Sequence, residues 1–380
     1  MGLGCTDRGD ASGRLIVDLD ALVQNYRTLQ AIANPAEVGA VVKANAYGLG
    51  AAPVSRALAR AGCRHFFVAQ LAEAASLHPE LPSGISIYVL NGLWPGSEAQ
   101  AAALGVVPVL NSLGQAARWR EVAQARGARL PAVLQVDTGM SRLGVSPDEA
   151  VQLADAPDLL DHVDVQLVMT HLACADTSGA PATAAQRVLF QRLAALFPAA
   201  ARSYANSAAA LTLPGAPGEL VRAGIALYGA SPVTDRASPL RRVVTVTARV
   251  VQIRTIGPGA GVGYGLTYVA SEPVRLATVA AGYADGWPRS LSGCGAVYLN
   301  DQRLPVLGRI SMDSMMVDAS ALSPGALSVG DEVELIGASQ NLEEVAALAG
   351  TISYEILTRL GSRYARSYVG APALSQGSPA

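Results

Sequence analysis

The sequence predicts an α/β protein: a parallel (β/α)8 barrel of the TIM type followed by a smaller, β-rich C-terminal domain. Three observations carry this. The chain has 380 residues, long for one ordinary domain and suited to a barrel plus a second unit. Eight short apolar runs, most followed by an alanine-rich, helix-like stretch, read as parallel strands buried on both faces. Beyond residue 240 the texture changes to alternating strands and Gly/Pro turns.

In chain order, RLIVDLDALVQNYRTL reads as a strand, an Asp cap and an amphipathic helix. The eight runs are 38–45, 65–70, 85–90, 106–110, 132–137, 163–172, 203–206 and 220–228. Helix-like stretches between them include 51–61, 71–77, 114–126 and 184–196. A doubly wound open sheet is the competing fold; the count of eight, and no GxGxxG after the first strand, favour the barrel. From Val243 the chain reads VVTVTARVVQIRTI, with further strands at 275–280, 296–299, 306–307, 315–317 and 332–336. One helix at 341–349 is closed by Gly350 as C-cap. These readings give a barrel domain at 14–240 and a C-terminal domain at 241–373, with a frayed tail, ALSQGSPA. No internal repeat is evident.

Composition excludes several classes. Hydrophobic residues make up 51% and charged residues 15%, enough for a large core, and the net charge of −2 offers nothing to nucleic acid or an anionic membrane. Cys5, Cys63, Cys174 and Cys294 lie far apart without CxxC spacing, so neither a disulfide scaffold nor a metal site is expected. MGLGCTDRGD has no apolar core, so no secretory signal is expected. Its first six residues match the myristoylation pattern M-G-x-x-x-[ST], too short to carry weight. No run of 18 apolar residues predicts a membrane span. A cytoplasmic location fits these features.

Candidate chemistry falls at the C-terminal strand ends, where barrel active sites form. Lys43 follows two valines at the end of the first barrel strand. It is either a solvated strand-end lysine or a Schiff-base lysine made nucleophilic by desolvation. Asp137-Thr138-Gly139-Met140-Ser141-Arg142 follows strand five, Thr170-His171 ends strand six, and Asn206-Ser207 ends strand seven. Strand eight carries Arg222, then Gly224 and Ile225. Ser207 at a helix start, with backbone N–H groups near Gly224, suits a phosphate dianion. Singly, His171 could be a core histidine and Ser207 a plain N-cap; their joint placement favours a site.

VVKANAYGLG resembles the cofactor-attachment motif of bacterial alanine racemases. VDLDALVQN, DTGMSRLG, THLACAD, NSAA, VRAGIALYG, VGYGLTY, GYADGW, GRISMD and ISYE also occur in that family's order. The resemblance covers nearly the whole chain. It implies a pyridoxal 5'-phosphate enzyme interconverting L- and D-alanine and providing D-alanine for peptidoglycan. It further implies a homodimer in which the partner's C-terminal domain completes each site. By the same resemblance, Lys43 holds the cofactor and serves as one base, and Tyr264 is the opposite base. His171 bridges Tyr264 and Arg222, and Arg222 faces the pyridine nitrogen. Arg142 binds the cofactor's phenolate oxygen and the substrate carboxylate. Tyr47, Ser207, Gly224, Ile225 and Tyr354 hold the phosphate, while Met312, Tyr283 and Tyr354 border the substrate.

Two positions depart from the pattern. Gln135 stands where many members carry a carbamylated lysine that anchors the arginine, and Ser311 replaces the cysteine of C-M-D. Gln135 is expected to orient Arg142 without balancing its charge, leaving that to a carboxylate or a small anion such as chloride. The alternatives are a broad-specificity or serine racemase, a related decarboxylase, and a non-catalytic cofactor carrier with a lone barrel. Tyr283 and Tyr354 oppose the first, and Arg222, where a decarboxylase needs an acid, opposes the second. Tyr264 and the second domain oppose the third.

Overall fold

The computed structural model describes residues 11–213, 218–233 and 235–370. The amino-terminal myristoylation match and the tail lie outside them. The described chain divides into two compact units: Leu22–Leu227 with Ser231–Arg241, and residues 11–21, 228–230 and 242–370.

The chain opens with β1 (Gly13–Asp18), whose buried and exposed residues alternate, and continues into a helix at Leu19–Ala33. The larger unit is built on β2 (Glu37–Val41), β3 (His65–Val68), β4 (Ser86–Val89), β5 (Val107–Leu110), β6 (Leu130–Gln135), β7 (Val163–Met169), β8 (Ala201–Ser203) and β9 (Leu220–Ala223). Their order, β8-β7-β6-β5-β4-β3-β2-β9, is parallel throughout. A single parallel bridge, Asn206↔Arg222, spans the seam between β8 and β9, so the barrel is nearly closed. Most strand residues are buried, which explains the near-continuous apolar runs.

Helix ends follow local chemistry. Ser146 and Glu149 form a capping box ahead of Pro147–Ala154, and Ser112 accepts from the Gln115 N–H at 3.3 Å to start Leu113–Arg126. The predicted strands run long: the first ends at Val41 rather than 45, the sixth at Met169, and the eighth at Ala223 before a 3-10 turn at Ile225–Tyr228. Apolar character continues past each strand, so composition gave no stop.

The second unit contains β10 (Val244–Ile256), β11 (Gly261–Val262), β12 (Tyr268–Val269), β13 (Val274–Val279), β14 (Ala296–Leu299), β15 (Gln302–Leu307), β16 (Met315–Asp318), β17 (Glu332–Ile336) and β18 (Ala365–Val369). The sheet order is β13-β16-β15-β14-β17-β10-β1-β18, and β13 also pairs with β10. The strands from β10 round to β17 therefore close a small antiparallel ring. The thirteen-residue β10 makes this possible: residues 246–249 pair with β17 and residues 250–256 with β13. Ala270, Val262 of β11, Val274 and Leu276 of β13, and Leu307 of β15 form a buried cluster.

The structure corrects the predicted division at its start. Residues 14–21, assigned from sequence to the barrel, belong to the second unit. β1 pairs antiparallel with β10 and parallel with β18, burying Leu15 and Val17. The helix Leu342–Ala349 ends at Gly350 with φ +70, as predicted; a second helix, Ser353–Arg359, was not predicted. Among the described residues, no helix is long and apolar enough to cross a membrane.

Candidate active site

Lys43 opens an unusual turn. Residues 44–47 have φ of 53, 55, 53 and 56°. This left-handed conformation costs an L-residue roughly 1–2 kcal/mol, and only Asn45 is a type that tolerates it readily. Specific bonds hold it. Val42 O accepts from Ala46 N at 2.8 Å, Ala44 O from Gly48 N at 2.8 Å, and Asn45 Oδ1 from Ala51 N at 2.8 Å. A Glu73 carboxylate oxygen accepts from Ala44 N at 2.6 Å. The turn carries Lys43 and Tyr47 just beyond the end of β2. Lys43 is half-buried, and burial lowers its pKa. The Arg142 guanidinium lowers it further, Glu73 opposes the shift, and Arg222 adds to it. Lys43 is the single lysine in the chain.

Arg222 comes from β9 and is 3% exposed. Its Nη1 donates to Ser203 O at 2.9 Å and to the Ser203 hydroxyl, and its Nη2 to Thr170 O at 2.6 Å. Burial lowers its pKa to about 10, so it is still a cation at neutral pH. Nη2 also lies 3.4 Å from His171 Nδ1. A guanidinium has only protons to give, so Nδ1 is the acceptor and the ring proton sits on Nε2. Burial, then Arg222, Arg142 and Lys43, push the His171 pKa down to about 3, which keeps the imidazole neutral. Gln186, buried on the helix Pro181–Ala194, fixes the loop: its Nε2 donates to His171 O at 3.1 Å and its Oε1 accepts from Ala173 N at 2.9 Å.

Beside them lies a cradle. Ser207 Oγ accepts from Gly224 N at 2.8 Å and Ala226 N at 3.4 Å, which turns its own proton elsewhere. A Cβ at position 224 would stand 2.4 Å from the Tyr47 hydroxyl, so only glycine lets that hydroxyl approach the backbone. Ile225 follows directly and is buried.

The Arg142 loop differs from expectation. One Asp137 oxygen accepts from the N–H groups of Gly139, Met140 and Ser141 at 2.9, 3.0 and 3.1 Å. Gln135 does not hold Arg142; its Nε2 donates to Leu143 O at 3.0 Å. Arg142 is exposed in the single chain. The chain has no second lysine to be carbamylated.

The remaining candidates lie on the second unit. Tyr264, flanked by Gly263 and Gly265 at φ +69 and +72, is 72% exposed. Tyr283 and Met312 are brought together: Tyr283 N donates to Ser311 O at 3.1 Å and Ala284 N to Met312 O at 3.0 Å. Arg363 pins both loops, bonding both oxygens of buried Asp285 at 2.7 and 2.9 Å and Asp313 at 2.7 Å. Tyr354 is partly exposed on Ser353–Arg359.

Comparison with known proteins matches this arrangement along its length. Residues 17–232 fit the model of the alanine racemase N-terminal domain, and residues 243–368 that of the C-terminal domain. The chain belongs to the alanine racemase family. It is 51% identical over 358 residues to "Alanine racemase, catabolic" of Rhizobium johnstonii, covering 94% of this chain and 95% of that one. It is 49% identical to the protein of the same name from Agrobacterium fabrum, covering 95% and 93%. The crystal structure of alanine racemase from Bartonella henselae with covalently bound pyridoxal phosphate superposes with a TM-score of 0.91 at 43% identity, covering 94% and 100%.

Alanine racemases use pyridoxal phosphate, and the larger unit's donor set fits it. One primary amine, a buried cation and a hydroxyl-lined glycine cradle occupy the strand ends of one barrel. Sequence reasoning gave no role to Glu73, Gln186 or Ser203. Their only signal is polarity inside apolar stretches, which does not say what each one touches.

Proposed function

We propose that this chain interconverts L- and D-alanine by two-base proton transfer, with pyridoxal phosphate attached at Lys43. The observation that carries this reading is the chain's single lysine, lowered in basicity, in the unit that also holds Arg222, neutral His171 and the Tyr47–Ser207–Gly224 cradle. Bound there, the cofactor withdraws electrons from the substrate's α-carbon and makes its proton removable.

The chain's own residues would do the rest. Ser207, Tyr47, Gly224, Ile225 and Tyr354 hold the phosphate. Arg142 meets the carboxylate and the phenolate oxygen. Arg222 keeps its proton and so leaves the ring nitrogen unprotonated, which tempers the electron sink. Lys43 Nζ, made less basic by burial, takes or returns the proton on one face. The Tyr264 oxygen serves the other face. A phenol in water ionises near pH 10, so a tyrosine base needs a donor, and the proton on His171 Nε2 can supply it. Tyr283, Tyr354 and Met312 limit the substrate to a small side chain.

Tyr264 stands 72% exposed between two glycines. We read it as presented to a second copy, which makes the active form a homodimer with shared sites. Inactive Lys43→Ala and Tyr264→Phe chains, mixed to form hybrids, are expected to regain activity, because one of the two sites then holds both bases. Verified hybrid dimers with no activity would overturn the sharing.

A further inference from the structure

We propose that Glu73 is the positioning residue for Lys43: its carboxylate clasps the left-handed turn to the end of β3 and supplies the negative charge that faces the lysine. The inference rests on Lys43 as the attachment amine.

Glu73 is the third residue of the helix Leu71–Leu77, and part of its bonding is an ordinary capping box with Gln70. Oε2 accounts for that part, accepting from Gln70 N at 3.1 Å and Ala69 N at 2.7 Å. Oε1 leaves the helix altogether and accepts from Ala44 N at 2.6 Å, next to Lys43 in the chain. One carboxylate therefore ties together the loops that follow two adjacent strands, β2 and β3. Both oxygens must accept. An amide would set its NH2 against backbone N–H on one side, so glutamine cannot replace the group.

The charge matters separately. The charged groups acting on Lys43 are Arg142, Glu73 and Arg222, and only Glu73 is negative. His171, which also feels Lys43, is neutral at working pH. Glu73 therefore opposes the depression of the amine by burial and the two guanidinium groups. Without it, Lys43 loses a proton more readily, and the turn beside it loses an anchor.

The single lysine makes this directly measurable. Full-length protein grown with [ε-15N]lysine and stripped of cofactor shows one side-chain ammonium signal, that of Lys43. Glu73→Gln, which loses both the charge and the clasp, is expected to shift its titration downward by roughly half a pH unit or more, and Glu73→Asp separates the two effects. Glu73→Asp, which keeps the charge but not the reach, is expected to leave that titration nearly in place while weakening cofactor binding about tenfold. Wild-type protein gives a test without substitution: the Ala44 amide, on an exposed residue, is expected to resist hydrogen exchange. An unshifted titration in Glu73→Gln, or a rapidly exchanging wild-type Ala44 amide, overturns the proposal. Borohydride reduction of wild-type holoenzyme followed by peptide mass mapping tests the underlying reading. An adduct away from Lys43 sinks that reading whatever Glu73 does.

Discussion

His171 sits where burial and three cations all oppose its charged form, so its behaviour with pH is set by the fold. An unfolded histidine titrates near pH 6.5, and His171 in the fold at about 3. Between those values the unfolded chain binds more protons. Stability therefore rises with pH across the window and is lost as pH falls through it, at up to about 1.4 kcal/mol per pH unit. His171→Gln is expected to flatten this part of the acid limb in urea midpoints measured from pH 6.5 to 3.5. An unchanged slope would mean that His171 does not stay neutral inside the fold. Residues of this kind were partly legible in the sequence. Lys43, His171 and Arg222 stood out because charged or titratable groups beside β-branched runs need a reason. Glu73 and Gln186 did not, because an acid or amide on a helix is ordinary until its partner 29 or 13 residues away is known.

Among the elements, the eight barrel strands were legible in number, whereas their ends, and β11, β12 and β18 of the second unit, were not. The run Val41-Val42 gives no cue that β2 stops between them, and no propensity scale favours a left-handed turn through Ala44 and Ala46. That turn is held by local bonds together with the distant Glu73 carboxylate, a partner the local sequence does not name. The Arg363 clasp is of the same kind, tying the 282–286 turn to the 311–313 loop. Asp285 is 1% exposed and also caps Gly282 N at 2.9 Å. Arg363→Leu removes its cation and leaves a buried carboxylate short of donors, at a cost of about 1–3 kcal/mol or more. The expected result is a lower melting temperature together with a raised KM for alanine, since Tyr283 and Met312 lose their common support. A lower melting temperature with KM unchanged would confine the clasp to stability.

At the scale of the whole molecule, the two-part organisation was legible, because eight parallel strands and a set of alternating ones differ in pattern as well as composition. The membership of β1 was not, since a strand's own residues do not name its partners. Its place has a consequence for dissection. A fragment beginning at residue 241 lacks β1 and leaves β10 and β18 with bare edges, a known route to aggregation. Such a fragment is expected to be poorly soluble and to be rescued by a peptide of residues 11–21. Equal solubility with and without the peptide would show that β1 is dispensable. The same pairing bears on synthesis in the cell. β1 leaves the ribosome before the barrel but meets its antiparallel partner only after residue 244 has been made. At roughly 5–20 residues per second it waits on the order of ten seconds to most of a minute. Its parallel neighbour, β18, comes later still. Leu15 and Val17 lack their native partners through that interval, so a newborn chain carries an unpaired strand until the second unit has been made.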